Sequence, residues 1–316
     1  MDGVLIIDKP AGMTSHDVVA RVRRIIGERR IGHTGTLDPF ATGVLVMLVG
    51  RATRLAQFLS GAEKEYEAVI RLGYATDTGD VTGARVETEI HANTTNAQSL
   101  RKEEIAAAMA LLKGEIEQVP PMYSAKKIAG RKLYEHARRG EEIERQPVRV
   151  TISEFELLIK KEWEGEWEPS EDGAVDLRAR VVCSAGTYIR TLAEDLGKRL
   201  GIGAHLAELR RTRAGRFTIE NAITPEELAE RTANASLGQA LISPGDALSH
   251  LPALELDEEQ ARRTVHGIDL RIPDEEARSW IQGDSIRMTS RGELIAIGAF
   301  DPNSNTVHPA VVLGTG

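Results

Sequence analysis

Residues 29–43 read RRIGHTGTLDPFATG, with three glycines and a proline among polar side chains. This is loop chemistry between regular elements. Its centre is Asp38, followed by Pro39, which pushes Asp38 toward extended backbone geometry. Gly32 and Gly35 let a neighbouring backbone come close. Such a loop can hold one carboxylate up to a cleft. Asp-Pro is also an ordinary way to turn a chain, and the residues alone leave both readings open.

Outward from the loop, the hydrophobic pattern predicts the frame. VLIIDKP (4–10) reads as a buried strand stopped by Pro10, and VLVMLVG (44–50) as a second. Between them Thr14-Ser15 cap an amphipathic helix, SHDVVARVRRIIG, ended by Gly27. RATRLAQFLSG is a short helix. KEYEAVIRLG (64–73) alternates, with Tyr66, Ala68, Ile70 and Leu72 on one face, as a half-exposed antiparallel strand does. TDTGDVTGARVE is a turn leading into a strand, and 101–113 a helix. Residues 120–150 run from a loop through a short helix into a strand. VRVTISEFELLI and AVDLRARVVCS are strands joined by an acidic, Trp-containing tip at 163–173. TYIRTLAEDLGKRLG (187–201) has helical spacing, HLAELRRTRAGRF reads as a strand, and SIRMTSRGELIAIGAF as a hairpin about Arg291-Gly292. The class is α+β with a mixed, mainly antiparallel sheet. The expected division is 1–245 and a small β-rich unit at 250–316.

The chain has 316 residues, 41% of them hydrophobic, enough for a large core and a smaller one. No run approaches the ~18 apolar residues of a membrane span, and the start lacks the features of a secretory signal. Cys183 is the single cysteine, so no internal disulfide and no thiolate cluster is expected. Walker, GxGxxG, HExxH and CxxC patterns are absent, and neither a metal nor an organic cofactor is predicted. A soluble, cytoplasmic protein is expected.

Net charge is −8, which on its face opposes a nucleic-acid partner. The total hides a pattern. Residues 1–60 carry eight Lys/Arg against five Asp/Glu, 120–150 eight against four, and 183–217 seven against three. The acid is concentrated at 160–176 and 218–316. The stretch with Lys126, Lys127, Arg131, Lys132, Arg138 and Arg139 interleaves Tyr123 and Tyr134, which suits a phosphate backbone with unstacked bases. Solvated basic helices have the same composition. Gly186 and Thr187 stand where a strand gives way to a helix, a place that can receive an anion, with Arg190 just inside. An arginine there can keep a carboxylate ionised. Tyr66 is either a core ring or a stacking surface for an extruded base.

Taken in order, these segments resemble one family. The motifs are Lys9-Pro10-Ala11-Gly12-Met13-Thr14-Ser15, Gly32-His33-Thr34-Gly35-Thr36-Leu37-Asp38-Pro39, Ala41-Thr42-Gly43 and Lys64-Glu65-Tyr66. Further along come Thr76-Asp77-Thr78-Gly79-Asp80, Pro120-Pro121-Met122-Tyr123-Ser124-Ala125-Lys126, Gly186-Thr187-Tyr188-Ile189-Arg190 and Leu209-Arg210-Arg211-Thr212. Over residues 3–217 the chain is similar to the bacterial tRNA pseudouridine-55 synthases, the TruB family. The resemblance implies the pseudouridine synthase fold with a central cleft and a PUA-like C-terminal domain. It implies Asp38 as the catalytic carboxylate, Arg190 as its ion-pair partner and Tyr66 as the ring against the target base. His33, Tyr188, Leu209, Lys9 and Lys126 are the implied substrate contacts, and 120–147 the thumb that closes on the T stem-loop of tRNA. A monomer with no obligatory protein partner follows from the same resemblance. Two rivals are a non-catalytic RNA-binding protein and the catalytic subunit of a guide-RNA particle; the long 120–147 segment favours the stand-alone enzyme.

Overall fold

The computed structural model describes residues 1–86, 97–124, 126–128, 130–137, 139–141, 143–158, 173–273, 275 and 279–314. The expected acidic tip (163–172 of it), Arg138, and the side chains of Lys127, Lys132 and Tyr134 lie outside the described residues.

In chain order the first elements are β1 (Gly3–Lys9), α1 (Ser15–Ile26), β2 (Ile31–His33), β3 (Thr42–Val49), α2 (Ala56–Leu59), β4 (Lys64–Leu72), β5 (Ala75–Thr76) and β6 (Arg85–Val86). Then follow α3 (Lys102–Ala110), β7 (Gly114–Gln118), β8 (Lys127–Ile128), β9 (Arg131–Lys132), α4 (Leu133–Ala137), β10 (Val148–Leu157), β11 (Val175–Cys183), α5 (Ile189–Arg199), β12 (Ala204–Ala214) and β13 (Phe217–Thr218). A nine-stranded sheet runs β1-β3-β12-β4-β11-β10-β7, with β2 on β3 and β13 on β12. Its pairs are antiparallel except β3 with β12, which meet in parallel at Thr42/Arg210 and Gly43/Arg211.

The continuous apolar runs of β1 and β3 have a physical cause. Leu5, Ile7, Leu45, Met47 and Val49 face α1 and the helix Pro225–Ala233 on one side. Val4, Ile6, Val44, Val46 and Leu48 face Ala247, Leu248, Ile297 and Leu313 on the other. Both faces are covered, so neither tolerates polar alternation. β4 alternates as expected on its core face, where Tyr66, Ala68, Ile70 and Leu72 pack with α3 and α5. Its other face carries Glu65 and Arg71, paired with Arg180 and Asp176 of the adjacent β11.

α1 begins in a capping box between Thr14 and Asp17 and ends at Gly27, whose φ of 70° is the left-handed cap; the N-cap alone is worth about 1 kcal/mol. Among the elements that escape the sequence reading are two strands of the large sheet. The 29–43 segment is not wholly irregular: Ile31–His33 pairs with Met47–Val49. β7 was not expected, because GEIEQ carries one apolar residue; it is the sheet's edge strand, paired only with β10.

The C-terminal five-stranded sheet spans 253–312. Its hairpin turns at Arg291 (φ 51°) and Gly292 (φ 80°), the two positive angles of a type I′ turn. It is not free of the larger sheet. Arg51 and Arg54 donate to the carbonyls of Leu313 (2.6 Å) and Val312 (2.7 Å).

Candidate active site

The Asp38 loop is fixed at both ends by buried polar atoms. Ser15 Oγ donates to Leu37 O (3.1 Å) and accepts from Leu37 N (2.9 Å), and Leu37 itself is buried. Gly12 N donates to Pro39 O (2.8 Å). Lys9, fully buried, donates Nζ to the carbonyls of Pro10 (2.8 Å), Met13 (2.6 Å) and Pro39 (3.2 Å). Burial lowers its ammonium to about 8. This corrects the expectation that Lys9 contacts substrate: its donors are spent on loop carbonyls beneath the surface. On the far side Arg211 donates to Gly35 O (3.0 Å) and Val44 O (2.7 Å). A Cβ at Gly43 would collide with the Arg211 backbone, so the parallel junction of β3 and β12 requires glycine there, at φ 101°.

Thus held, Asp38 meets Arg190 in a fork. Nε lies 3.0 Å from Oδ2 and Nη2 donates to Oδ1 at 3.1 Å. Arg190 is 4% exposed and the Asp38 side chain 32%, so the carboxylate opens to the cavity while the guanidinium is sealed beneath it. The remaining donors of Arg190 go to Thr78 O (2.9 Å) and Tyr123 O (2.6 Å). Asp80 Oδ2 stands 3.7 Å from Nη1. Burial pushes the Asp38 carboxyl up from the ordinary carboxylate range, and Asp80 adds to the push; the Arg190 guanidinium opposes it and favours the anion.

A cavity of about 290 Å³ lies over this pair, walled by Tyr66, Tyr188, Leu209, Lys64, Ser124 and Arg211. Tyr66 and Leu209 come from adjacent strands, β4 and β12, and Tyr66 lies across from Arg211 in register. Tyr188 is the N-cap of α5. Its side chain makes no cap hydrogen bond; its backbone N donates to Gln118 Oε1 (3.0 Å), while Gln118 Nε2 donates to Tyr188 O (3.3 Å). Gly186 and Thr187, offered by the sequence as an anion site, line the cavity, while buried Gln118 holds the Tyr188 backbone at the helix start. Its amide at the end of an edge strand gives no local signal. Asp80 and Lys64 are likewise legible only as motif members, and Arg211 gains meaning only from the fold.

The structure brings Asp38, Arg190, Tyr66, Tyr188 and Leu209 to one cavity. It does not bring His33, Lys9 or Lys126 there. His33 precedes the lining residue Thr34; its Nδ1 accepts from Gly35 N (3.3 Å) and its ring meets that of His16 edge-on at 5.6 Å. Lys126 is half-buried at the foot of the β8–β9 hairpin, outside the cavity wall.

Comparison with known proteins identifies the family. Residues 23–189 match the TruB family pseudouridylate synthase N-terminal domain, and 190–249 the tRNA pseudouridylate synthase B C-terminal domain. The chain is 48% identical over 274 residues to tRNA pseudouridine synthase B of Geobacillus thermodenitrificans (86% of this chain, 87% of the relative). It is 46% identical over 272 residues to that of Bacillus thuringiensis (86% and 85%). Among solved structures, a Cbf5–Nop10–Gar1 complex is similar at 29% identity and a TM-score of 0.70, covering 99% of this chain and 84% of that one. An H/ACA RNP bound to a substrate RNA containing 2′-deoxyuridine is similar at 25% and 0.71 (99% and 85%). With the aspartate loop, its arginine and the strand tyrosine converging on one cavity, and the relatives matched across most of their length, the chain belongs to the TruB family of pseudouridylate synthases.

Proposed function

We propose that this chain isomerises the uridine at position 55 in the T loop of tRNA to pseudouridine, with Asp38 as the reacting carboxylate. The observation that carries the assignment is the Asp38–Arg190 fork at the floor of a nucleotide-sized cavity walled by Tyr66 and Leu209. A stacked uridine cannot reach that floor, so the base is extruded, at a cost of a few kcal/mol. Contact with Tyr66 and Leu209 offsets part of it. The glycosidic bond from uracil N1 to C1′ opens, the ring turns, and C5 bonds to C1′. Attack of Asp38 at C1′, attack at the ring, and proton removal from the ribose all need the same anion at the same place. Arg190 orients it.

The enzyme reading includes action as a cytoplasmic monomer without an obligatory protein partner. Among the described residues no helix is long and apolar enough to cross a membrane. The segment 120–147, whose root at Tyr123 touches Arg190, serves as the thumb on the RNA, and the 253–312 sheet as a PUA-like accessory. The test is tritium release from a tRNA transcript carrying 5-tritiated uridine, with no guide RNA or added protein. Wild type is expected to release tritium and Asp38→Asn to release none, while its tRNA affinity stays within about tenfold. Release by Asp38→Asn at the normal rate removes Asp38 from the chemistry; dependence on a guide RNA removes the stand-alone reading.

A further inference from the structure

Two cations in the cavity wall have no anion. Lys64 of β4 is 8% exposed and donates Nζ to the carbonyls of Ser60 (2.9 Å) and Ala62 (2.6 Å). Arg211 of β12 is 2% exposed and donates to Val44 O and Gly35 O. Among the described residues neither pairs with a carboxylate. Arg190, buried a short way off, has Asp38. A buried charge without a partner costs several kcal/mol, and the strain shows: burial, then the charge of Arg211, lowers the Lys64 ammonium to about 8.

The two cations meet at Gly35, and all three residues line the cavity. A Cβ on Gly35 would stand 3.4 Å from Arg211 Nη1 and 3.7 Å from Lys64 Cε. Arg211 also interacts with the Tyr66 hydroxyl, and so with the ring assigned to the base.

The inference rests on the assignment of this cavity to a uridine. When the N1–C1′ bond breaks, its electron pair stays on uracil, spread over N1, O2 and O4. C1′ meanwhile bonds to an Asp38 oxygen, or in the elimination route C2′ yields its proton to Asp38. Forming the C5–C1′ bond returns the pair, frees Asp38 (or returns its proton to C2′), and the C5 hydrogen leaves as a proton while N1 takes one up, so the product is an isomer of the substrate. The base is therefore anionic only in mid-reaction, whereas the flanking phosphates are anionic throughout. A phosphate stays at the mouth with the backbone; the base goes deep. Cations this buried face the base.

We propose that Lys64, backed by Arg211, is a further catalytic residue that receives the negative charge of the detached uracil on one of its exocyclic oxygens. Charge that appears only in mid-reaction is the kind a fixed cation stabilises selectively.

The experiment compares full-length wild type, Lys64→Met and Lys64→Arg on tRNA transcripts containing uridine or 5-fluorouridine. Base detachment is followed under single-turnover conditions by digestion and mass spectrometry, and tRNA binding is measured separately. Removing one such donor is expected to slow the uridine substrate by about 10²-fold, with affinity within about threefold. Lys64→Arg should recover most of the rate. Fluorine stabilises the ring anion, so the 5-fluorouridine substrate should lose much less in Lys64→Met. The wild-type rate should fall above about pH 8, and Lys64→Arg should move that fall upward. Of the titratable groups facing Lys64, Cys183 is pushed by burial to about 11 and Tyr66 is pushed up by burial, both above this window. Weaker tRNA binding with an unchanged single-turnover rate would make Lys64 a phosphate contact and overturn the proposal. So would equal losses on both substrates with no recovery by arginine, which marks a packing role. A wild-type protein inactive on the uridine transcript would instead remove the uridine assignment on which the proposal stands.

Discussion

Arg190 offers the sharpest test of the Asp38 site. Its fork makes two charge-assisted contacts with Asp38, an ion-pair approach of Nε at 3.0 Å and a hydrogen bond from Nη2 at 3.1 Å, each contributing about 1.5–3 kcal/mol. Lysine keeps the charge but supplies at most one of them, since its single nitrogen cannot present two parallel donors. Arg190→Lys should therefore lose about 1.5–3 kcal/mol of transition-state stabilisation, or 10- to 150-fold in single-turnover rate. Arg190→Met loses both contacts, about 10²- to 10⁴-fold. It also removes the cation that opposes the upward push of burial and Asp80 on the Asp38 carboxyl. The carboxyl then moves further up. Because the reaction uses the anion, the acidic limb of the rate–pH profile should shift toward neutral pH, and adding Asp80→Asn should shift it part of the way back. The assay is single-turnover tritium release at saturating enzyme from pH 5 to 8. An Arg190→Met enzyme within threefold of wild type, with an unmoved acidic limb, would refute the claim that the fork holds the anion.

Gly43→Ala should destabilise the protein by at least about 1–3 kcal/mol from the positive φ alone, with more from collision with the Arg211 backbone; at about 2–4 °C of Tm per kcal/mol for a domain of this size, thermal melting reads it directly. Lys9→Met should leave the salt dependence of tRNA affinity unchanged, since a phosphate contact would contribute to that slope, yet lower Tm, because three carbonyls lose a buried donor at about 1–3 kcal/mol each. The folded state holds Lys9 near 8, below the 10.5 of the unfolded chain. Between these values the unfolded chain binds more protons, so Lys9 adds stability as pH rises through that window; urea titrations at pH 7.5 and 10 should show a larger increment in wild type than in Lys9→Met, which keeps that of Lys64. Gln118→Ala should strand the N–H and carbonyl of Tyr188 and cost about 1–3 kcal/mol by the same measure.

What the sequence discloses and what it withholds divide along a physical line. Elements whose cause is local were legible: the Thr14–Asp17 box, the Gly27 stop, the alternation of β4 and the Arg291-Gly292 turn each follow from a few neighbouring residues. The continuous runs of β1 and β3 announced burial, though not that opposite faces serve two separate clusters. β7 was invisible because its place at the edge comes from its partner β10 and not from its own side chains. Asp38, Arg190, Tyr66, Tyr188 and Leu209 were reachable by motif, while the cavity that unites them was not. Lys9 misled for an instructive reason: a lysine beside a loop reads as a hand for phosphate until its three carbonyl acceptors are seen. Gln118 and Arg211 act through partners 70 and 176 residues away, a separation that no local pattern records.

The fork joins positions 152 residues apart, and the parallel seam beside it ties Gly43 to Arg211. A chain emerging from the ribosome at about 5–20 residues per second would thus carry its aspartate for about 8–30 s before the arginine is even synthesised. Until then the loop lacks both its seam and its counter-charge. A nascent chain stalled short of residue 190 should be chemically silent toward RNA, and competence should arrive in one step when the eleven-residue β12 slots between β3 and β4.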